Sequence, residues 1–150
     1  MNNPYLFRGL TAGPLIVRRI VSHVPESRHD EHTDPERFTL REAIAHMADW
    51  DVIDLDRIKQ ILTSPGSTLV PYDESERAVA QAYVLTDVGE QLSLFSSRRA
   101  ALVAFLETLP AESWAEQGYH PEKGILTVYD MANMILAHDT YHVEHLTQFL

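Results

Sequence analysis

The chain has 150 residues, the length of one ordinary domain, and it contains no cysteine, which excludes disulfides and thiolate metal ligands. Its formal net charge is −10, from 12 basic and 22 acidic residues, and a surface of that charge repels nucleic-acid phosphates. No apolar run approaches the roughly 20 residues of a membrane span. With no pattern of a secretion signal either, we expect a single cytoplasmic domain over 1–150 that binds neither nucleic acid nor membranes.

The first half of the chain predicts two helices. The first covers about residues 4–24 and is expected to kink or restart at Gly13-Pro14. A charged joint over 25–38 follows, and its histidines, His29 and His32, are expected to be solvated. The second helix begins at a capping box in which Thr39 is followed three residues later by Glu42, and it ends at Ser64-Pro65-Gly66.

The second half predicts two further helices and no strand. An irregular segment over 66–76 is a candidate lid. A helix over about 77–109 follows, with a break expected near Asp87-Val88-Gly89, and the last helix begins at Thr127. Four helices without period-2 alternation predict an all-α, single-domain four-helix bundle. The joints between them are long enough to permit a crossover connection.

The last helix carries histidines on the side that should face the bundle core. Residues spaced by three and four form one seam, and the seam turns from apolar to histidine along its length: Val128, Met131, Ile135, His138, His142, His145, Phe149. Each inward ring must find a partner or cost about 1–3 kcal/mol. A hydrogen bond to a neighbouring helix would satisfy one ring. Two rings at i and i+4 lie about 6 Å apart along the axis, which is how a helix offers two ligands to one metal ion.

A third ligand is expected from upstream, and His46 is the best candidate. It lies in the middle of the second helix, on the side that faces inward with Ala43 and Trp50. The sequence therefore predicts a metal site of His46, His138 and His142. Three neutral imidazoles leave an open coordination position, which is typical of a catalytic rather than a structural zinc site.

Several residues around this site have open roles. His145 is a fourth ligand, a donor that orients a ligand histidine, or a structural ring at the mouth of the bundle. Asp139 or Glu144 is a candidate to orient a ligand histidine from behind. A substrate pocket is predicted to include Trp50, Tyr72, Trp114 and Tyr141, although ordinary packing explains these aromatic residues equally well.

Two familiar metal motifs are disfavoured. His138-Asp139-Thr140-Tyr141-His142 resembles the HExxH helix of zinc peptidases, but aspartate is one methylene shorter than the general base those enzymes use. A di-iron bundle needs Glu-x-x-His pairs on two helices, whereas Glu42 and His46 are four residues apart.

Two segments of the chain resemble the DinB-like, or YfiT-like, family of metal-binding four-helix bundles. They are AIAHMADWD at 43–51, after a helix opening at Phe38-Thr39, and GILTVYDMANMILAHDTYH at 124–142. The resemblance implies one divalent ion, such as zinc, nickel or iron, held by His46, His138 and His142, and a homodimer. Some relatives are transferases that use a low-molecular-weight thiol. Members often have glutamine at the position of His145 and tryptophan at that of Phe38.

Two functions are compatible with this site. In the first, the chain is an enzyme in which metal-bound water or thiol is the nucleophile, because a divalent ion deprotonates either one near neutral pH. Such an enzyme would be a thiol-dependent S-transferase or a metal-assisted hydrolase acting on a small-molecule substrate. In the second, the chain is a non-enzymatic metal-binding or stress-response protein whose metal is structural. An open coordination position favours the first, and closure by His145 favours the second.

Overall fold

The computed structural model describes residues 3–150, in which four long helices form a bundle and confirm the predicted fold class. The long helices are α1 (Leu6–Val21), α2 (Leu40–Thr63), α4 (Val88–Glu107) and α5 (Val128–Thr147). A short helix α3 (Glu74–Ala80) and an antiparallel hairpin of β1 (Gln117–His120) and β2 (Gly124–Thr127) complete the fold. None of the helices in this part of the chain combines the length and the apolar character that a membrane crossing demands.

Chain neighbours are not always bundle neighbours. Both α1 and α2 pack against α4 and α5, so α1 and α2 occupy opposite corners of the bundle. The connection over residues 22–39 therefore crosses the end of the bundle, which its length permits. This arrangement places α2 beside α5, and those are the two helices that carry the predicted metal ligands.

The helices α2 and α5, which carry the predicted metal ligands, begin at the predicted residues. The Thr39 side chain accepts a hydrogen bond from Glu42 N at 3.2 Å, and the Glu42 carboxylate accepts one from Thr39 N at 2.9 Å. Thr127 and Asp130 form the same reciprocal box at the start of α5. Each box satisfies backbone donors that the first helical turn leaves free, so both starts are well defined.

Of the kink or restart expected at Gly13-Pro14, the restart is wrong, because α1 continues through Pro14 from Leu6 to Val21. Proline has no backbone N–H, so the carbonyl of Leu10, four residues earlier, loses its helical donor. Arg99 of α4 supplies a replacement, since its Nη1 donates to Leu10 O at 2.9 Å. The proline therefore exposes a carbonyl that a neighbouring helix uses.

The predicted break in the third helix is larger than expected. After α3, Ala82 has a φ of +50°, in the left-handed region, and a 3-10 turn over Tyr83–Leu85 precedes α4. Asp87 then caps α4 by accepting from Glu90 N at 2.7 Å. The segment over 74–85 is therefore a separate unit that lies against α2.

The prediction that the chain has no strand is wrong. Residues 117–120 pair with 124–127, and Gly124 has a φ of +80° where the chain turns back. The candidate lid is partly fixed to this hairpin, because Leu69 N donates to Tyr119 O and Tyr119 N donates to Ser67 O. Strands of four residues are too short to show an alternating pattern in the sequence.

A buried guanidinium lies between two apolar parts of the core. Arg99 is 2% exposed and donates to both carboxylate oxygens of Asp51, each at 2.9 Å, and to the Asp139 carboxylate at 2.8 Å. With Leu10 O it thereby joins α4 to α2, α5 and α1. Gly13 leaves the room for this cluster, since a Cβ there would overlap the Asp139 carboxylate.

We predict that Arg99→Met destabilises the fold by about 3–5 kcal/mol, because it leaves two buried carboxylates without a counter-charge. Urea unfolding followed by circular dichroism measures this change. Arg18→Met, on the exposed side of α1, is the matched control and should change stability by no more than about 0.5 kcal/mol. A loss below about 1 kcal/mol in Arg99→Met would contradict the role given to this cluster.

Candidate metal centre

Three histidine rings converge in the bundle, one from α2 and two from α5. Nε2 of His138 lies 2.9 Å from Nε2 of His46 and 3.1 Å from Nε2 of His142. One ligand nitrogen from each ring falls within 4.8 Å of the other two. These are the three residues that the sequence predicts as a metal site, and the fold brings them together.

Aromatic packing holds the rings in place. His46 is fully buried, and its ring lies 5.2 Å from that of Phe38 and 4.5 Å from that of Trp50. Trp50 also stacks on His138, with ring centroids 6.5 Å apart and an angle of 28° between the planes. Because these contacts restrict the rotamers, the Nε2 atoms stay directed at one point.

Burial keeps the three rings neutral. It lowers the pKa of His46 to about 3, with a further contribution from the neighbouring His138 ring. Burial, followed by the positive charge of Arg99, lowers the pKa of His138 to about 4. The pKa of His142 is also lowered, mainly by burial and then by His138 and His46. Neutral imidazole is the form that binds metals, so the rings need not lose a proton first.

The geometry fits a divalent ion better than a set of hydrogen bonds. Each nitrogen of a neutral imidazole has either one proton or one lone pair, so Nε2 of His138 can form a normal hydrogen bond in only one of its two short contacts. A tetrahedral ion with metal–nitrogen distances of 2.0–2.1 Å separates its ligand nitrogens by about 3.3 Å. The observed 2.9 and 3.1 Å lie within a few tenths of an ångström of that value.

A cleft of about 490 Å³ opens beside the histidines. Its walls come from the loop before α2, from α3 with the turn that follows it, and from α5. The lining residues include Arg37, Phe38, Glu42, Glu74, Ala78, Val79, Val84, Tyr141, His142 and His145. Since His142 is common to the cleft and the histidine cluster, an ion bound by the three rings would lie next to the cleft.

His145 lies next to the cluster but outside it. Its ring centroid is 6.5 Å from that of His142 and 5.6 Å from that of Phe149, and the residue is 1% exposed. It is absent from the group of converging ligand atoms, so the structure leaves it as a buried ring on the cleft wall. The three-histidine site therefore keeps a side that no ligand from residues 3–150 closes.

The two acidic residues considered as partners of the ligand histidines have other roles. Asp139 pairs with Arg99, so the prediction that it orients a site histidine is wrong. Glu144 is exposed and accepts from Arg37 Nη1 at 2.7 Å. An aspartate that follows His138 points to a different side of α5, because successive helical residues are about 100° apart.

The four aromatic residues predicted for the pocket separate into different environments. Tyr141 lines the cleft, and Arg37 lies over its ring at 4.3 Å. Trp50 packs against the His46 ring, and its own ring centroid lies 6.5 Å from that of Tyr72. Neither Trp50 nor Tyr72 lines the cleft. Trp114 packs edge-on against Phe7 in the core, so its assignment to a substrate pocket is wrong.

The remaining histidines lie outside the cluster. His29 is buried rather than solvated, and its carbonyl accepts from Arg41 N at 3.0 Å. His120 is buried in β1, where Nδ1 accepts from Glu122 N at 3.2 Å. His23 accompanies the end of α1, with Nδ1 2.7 Å from Arg19 O, and His32 is exposed.

Two polar residues of the cleft, Arg37 and Glu42, were not predicted as site residues. Arg37 comes from a loop whose path only the fold determines. Glu42 is four residues before His46, a spacing that places both on one face of α2 and is visible in the sequence. In the sequence, that spacing counted only against a di-iron site, which needs a glutamate three residues before a histidine.

Sequence comparison relates the chain to proteins described as metal-dependent hydrolases. The profile of the DinB superfamily matches residues 11–146. YfiT of Bacillus subtilis (strain 168), a candidate metal-dependent hydrolase, is 25% identical over 136 residues, which are 90% of this chain and 76% of YfiT. A protein of Bacillus pumilus (strain SAFR-032) with the same description is 30% identical over 118 residues, which are 75% of this chain and 65% of that protein.

Two solved structures share the fold. The structure of YfiT, described as having an unusual four-helix bundle topology, superposes with a TM-score of 0.89 at 24% identity and covers 96% of this chain and 83% of that one. The crystal structure of a mycothiol-dependent maleylpyruvate isomerase superposes with a TM-score of 0.76 at 17% identity, covering 94% and 59%. At these identities the two likenesses establish the architecture alone.

We predict that His46 and His138 each contribute a loss of stability to the metal-free protein as the pH falls below about 6.5. The unfolded chain takes up protons there, whereas the folded rings of His138 and His46 stay neutral to about pH 4 and 3. Each such histidine contributes a slope of about 1.4 kcal/mol per pH unit. Urea unfolding with a chelator present, between pH 7.5 and 5, measures it. His46→Gln should reduce the slope, and His23→Gln, at an exposed position, controls for the substitution. An equal slope in His46→Gln would contradict this account.

We predict that the protein, made without a polyhistidine tag, binds about one divalent ion per chain and that His138→Ala/His142→Ala binds none. The double variant removes two of the three converging ligands. Elemental analysis after incubation with zinc and gel filtration measures the content. His23→Ala/His32→Ala removes two exposed histidines and should retain the ion. A wild-type protein that stays metal-free after this treatment would show that the rings only pack in the core.

Proposed function

The chain belongs to the DinB superfamily, and we propose that it is a metal-dependent hydrolase that acts on a small molecule. The observation that carries the proposal is the convergence of three neutral Nε2 atoms beside a cleft that His142 lines, with no fourth ligand from residues 3–150 in the cluster. Structural metal sites are usually closed by four protein ligands, whereas catalytic sites keep a position free.

His46, His138 and His142 would hold the ion, and zinc, nickel and iron all suit three imidazoles. Bound there, a divalent ion acts as a Lewis acid that brings the pKa of a coordinated water near 7 and polarises a substrate carbonyl. The protein supplies the rest of the site. Phe38 and Trp50 fix the His46 ring, and burial holds the rings neutral, so the donor set needs little rearrangement.

The cleft supports a small substrate with an apolar part. Its volume of about 490 Å³ lies within the 300–1,000 Å³ that small-molecule pockets occupy. Phe38, Ala78, Val79 and Val84 give the lining an apolar part, and Arg37 and Tyr141 add polar groups. Such a cleft would bind the apolar group of an ester or amide and exclude water from it.

A thiol-dependent transferase is the second candidate. The fold is shared with a mycothiol-dependent isomerase, and the chain has no cysteine of its own to act as a nucleophile. A low-molecular-weight thiol would then be a cosubstrate in the same cleft. A third alternative, a non-enzymatic stress-response protein with a structural metal, is disfavoured by the open side of the site. Assembly as a homodimer and a cytoplasmic location stay predictions.

Hydrolysis of small esters tests the proposal. We predict that the zinc-loaded protein hydrolyses p-nitrophenyl acetate or a related ester at pH 7.5, with a rate proportional to its metal content. His138→Ala/His142→Ala should lose at least about 100-fold, because the ion supplies most of the activation of the nucleophile. His23→Ala/His32→Ala is the control for lost histidines. If metal-loaded and metal-free protein are equally slow on every ester and amide offered, while a thiol such as mycothiol is consumed, the transferase is the better assignment.

A further inference from the structure

Glu42 brings a carboxylate to the cleft one helical turn before His46. It is half-buried, lies on α2, and shares the cleft wall with His142 and Phe38. We propose that Glu42 is a catalytic residue that accepts the proton of the attacking water. The inference rests on the proposed hydrolase function, and it assigns a role that the metal ligands do not supply.

Helix geometry and the shared cleft place Glu42 near the converging histidines. Residues four apart lie on one face of a helix, so Glu42 and His46 face the same side of α2. The Glu42 carboxylate accepts a hydrogen bond from Thr39 N at 2.9 Å, and the ring of the preceding residue, Phe38, lies 5.2 Å from that of His46. Glu42, Phe38 and His142 line the same cleft, so the carboxylate and one ligand ring face a common space.

The carboxylate is held in position, and one of its oxygens is free to react. Oε2 accepts from Thr39 N, which is its one hydrogen-bond donor within residues 3–150. That bond fixes the rotamer and leaves the second oxygen available towards the cleft. A general base needs this combination, because it must be oriented without having all its acceptor capacity used.

The other carboxylates of the cleft are less suited to the role. Glu36 lies in the loop before α2, and Glu74 lies at the start of α3 on the opposite wall. Both are exposed. Neither is on a helix that supplies a ligand histidine, whereas Glu42 and His46 are held in one register by the backbone of α2.

The chemistry is an ordinary hydrolysis. As the water oxygen forms a bond to the substrate carbonyl carbon, one O–H bond breaks and its proton moves to the free oxygen of Glu42. When the bond to the leaving group breaks, the same proton passes to the leaving atom. The carboxylate is regenerated, and the net reaction consumes one water.

A purely structural reading is that Glu42 only completes the capping box of α2. Substitution by glutamine separates the two roles, because the side-chain carbonyl oxygen of glutamine still accepts the hydrogen bond from Thr39 N but cannot act as a base for the proton of the water. Asp130→Asn is the matched control. Asp130 completes the box of α5, is exposed and does not line the cleft, so the variant loses the same charge elsewhere.

The experiment compares Glu42→Gln, Asp130→Asn and wild type in three measurements. Thermal unfolding should show all three melting within a few degrees. Cobalt(II) is the spectroscopic probe. Its dissociation constant in Glu42→Gln should be within about tenfold of the wild-type value. The pH midpoint of the visible cobalt spectrum should fall by about half to one unit, because a nearby negative charge is lost. The kcat for ester hydrolysis should fall about 10²–10⁴-fold in Glu42→Gln and stay unchanged in Asp130→Asn.

Two outcomes would overturn the role of Glu42. An unchanged cobalt midpoint and an unchanged kcat would show that the residue only caps α2. A loss of cobalt affinity above about 100-fold would make it a metal ligand. Failure of the proposed function gives a different result, in which wild type binds cobalt but hydrolyses none of the esters. The difference in cobalt pH midpoint between wild type and Glu42→Gln still tests whether the Glu42 charge lies near the ion.

Discussion

The buried guanidinium of Arg99 is the interaction on which the arrangement of this bundle depends. It joins α4 to Asp51 of α2, Asp139 of α5 and the Leu10 carbonyl of α1. Apolar seams tolerate sliding, because one leucine packs much like another, whereas a guanidinium with two carboxylates permits one register only. Buried ion pairs contribute little net stability, and their best-attested role is to specify such a register. Asp51 follows Trp50 and Asp139 follows His138, so the same contact sets the relative height of the site residues on α2 and α5.

The guanidinium also acts on the histidines electrostatically. Its positive charge, after burial itself, lowers the pKa of His138. A metal ion binds the neutral form of a histidine ring. In three neutral rings whose Nε2 atoms face one another, Nε2 of His138 can donate or accept only one hydrogen bond, so one of its two short contacts stays unsatisfied. A bundle core that keeps such a cluster in place pays for it in stability at low pH. A shared cation removes this cost, which is the physical reason to regard the seam as a binding site rather than as packing.

Access to the site is set by a segment that the bundle itself does not need. The unit over 74–85 covers one side of the cleft and is attached to α2 through Asp49. The carboxylate of Asp49 accepts from Arg77 at 2.7 and 2.9 Å and from the Tyr83 hydroxyl at 2.6 Å. The ring centroid of Tyr83 lies 6.4 Å from that of His46. This part of the cleft lining is thus attached to α2, which also carries His46 and Glu42. The helix α2 therefore contributes both to the shape of the cleft and to the metal site, whose other two ligands lie on α5.

The amino-acid sequence alone predicts the helical class, the capping boxes at Thr39 and Thr127, and the pair His138 and His142. These follow from periodicity and from hydrogen bonds between residues three or four apart, which are local. It also ranked His46 first among the upstream histidines, because of its inward face on α2. Other features depend on contacts between residues that are distant in the sequence. In the folded chain Asp139 pairs with Arg99, Trp114 packs in the core, and His145 lies beside the histidine cluster. The loop at Arg37 forms the cleft together with α3. No local pattern encodes those outcomes, since they depend on which helices become neighbours and at what height they meet.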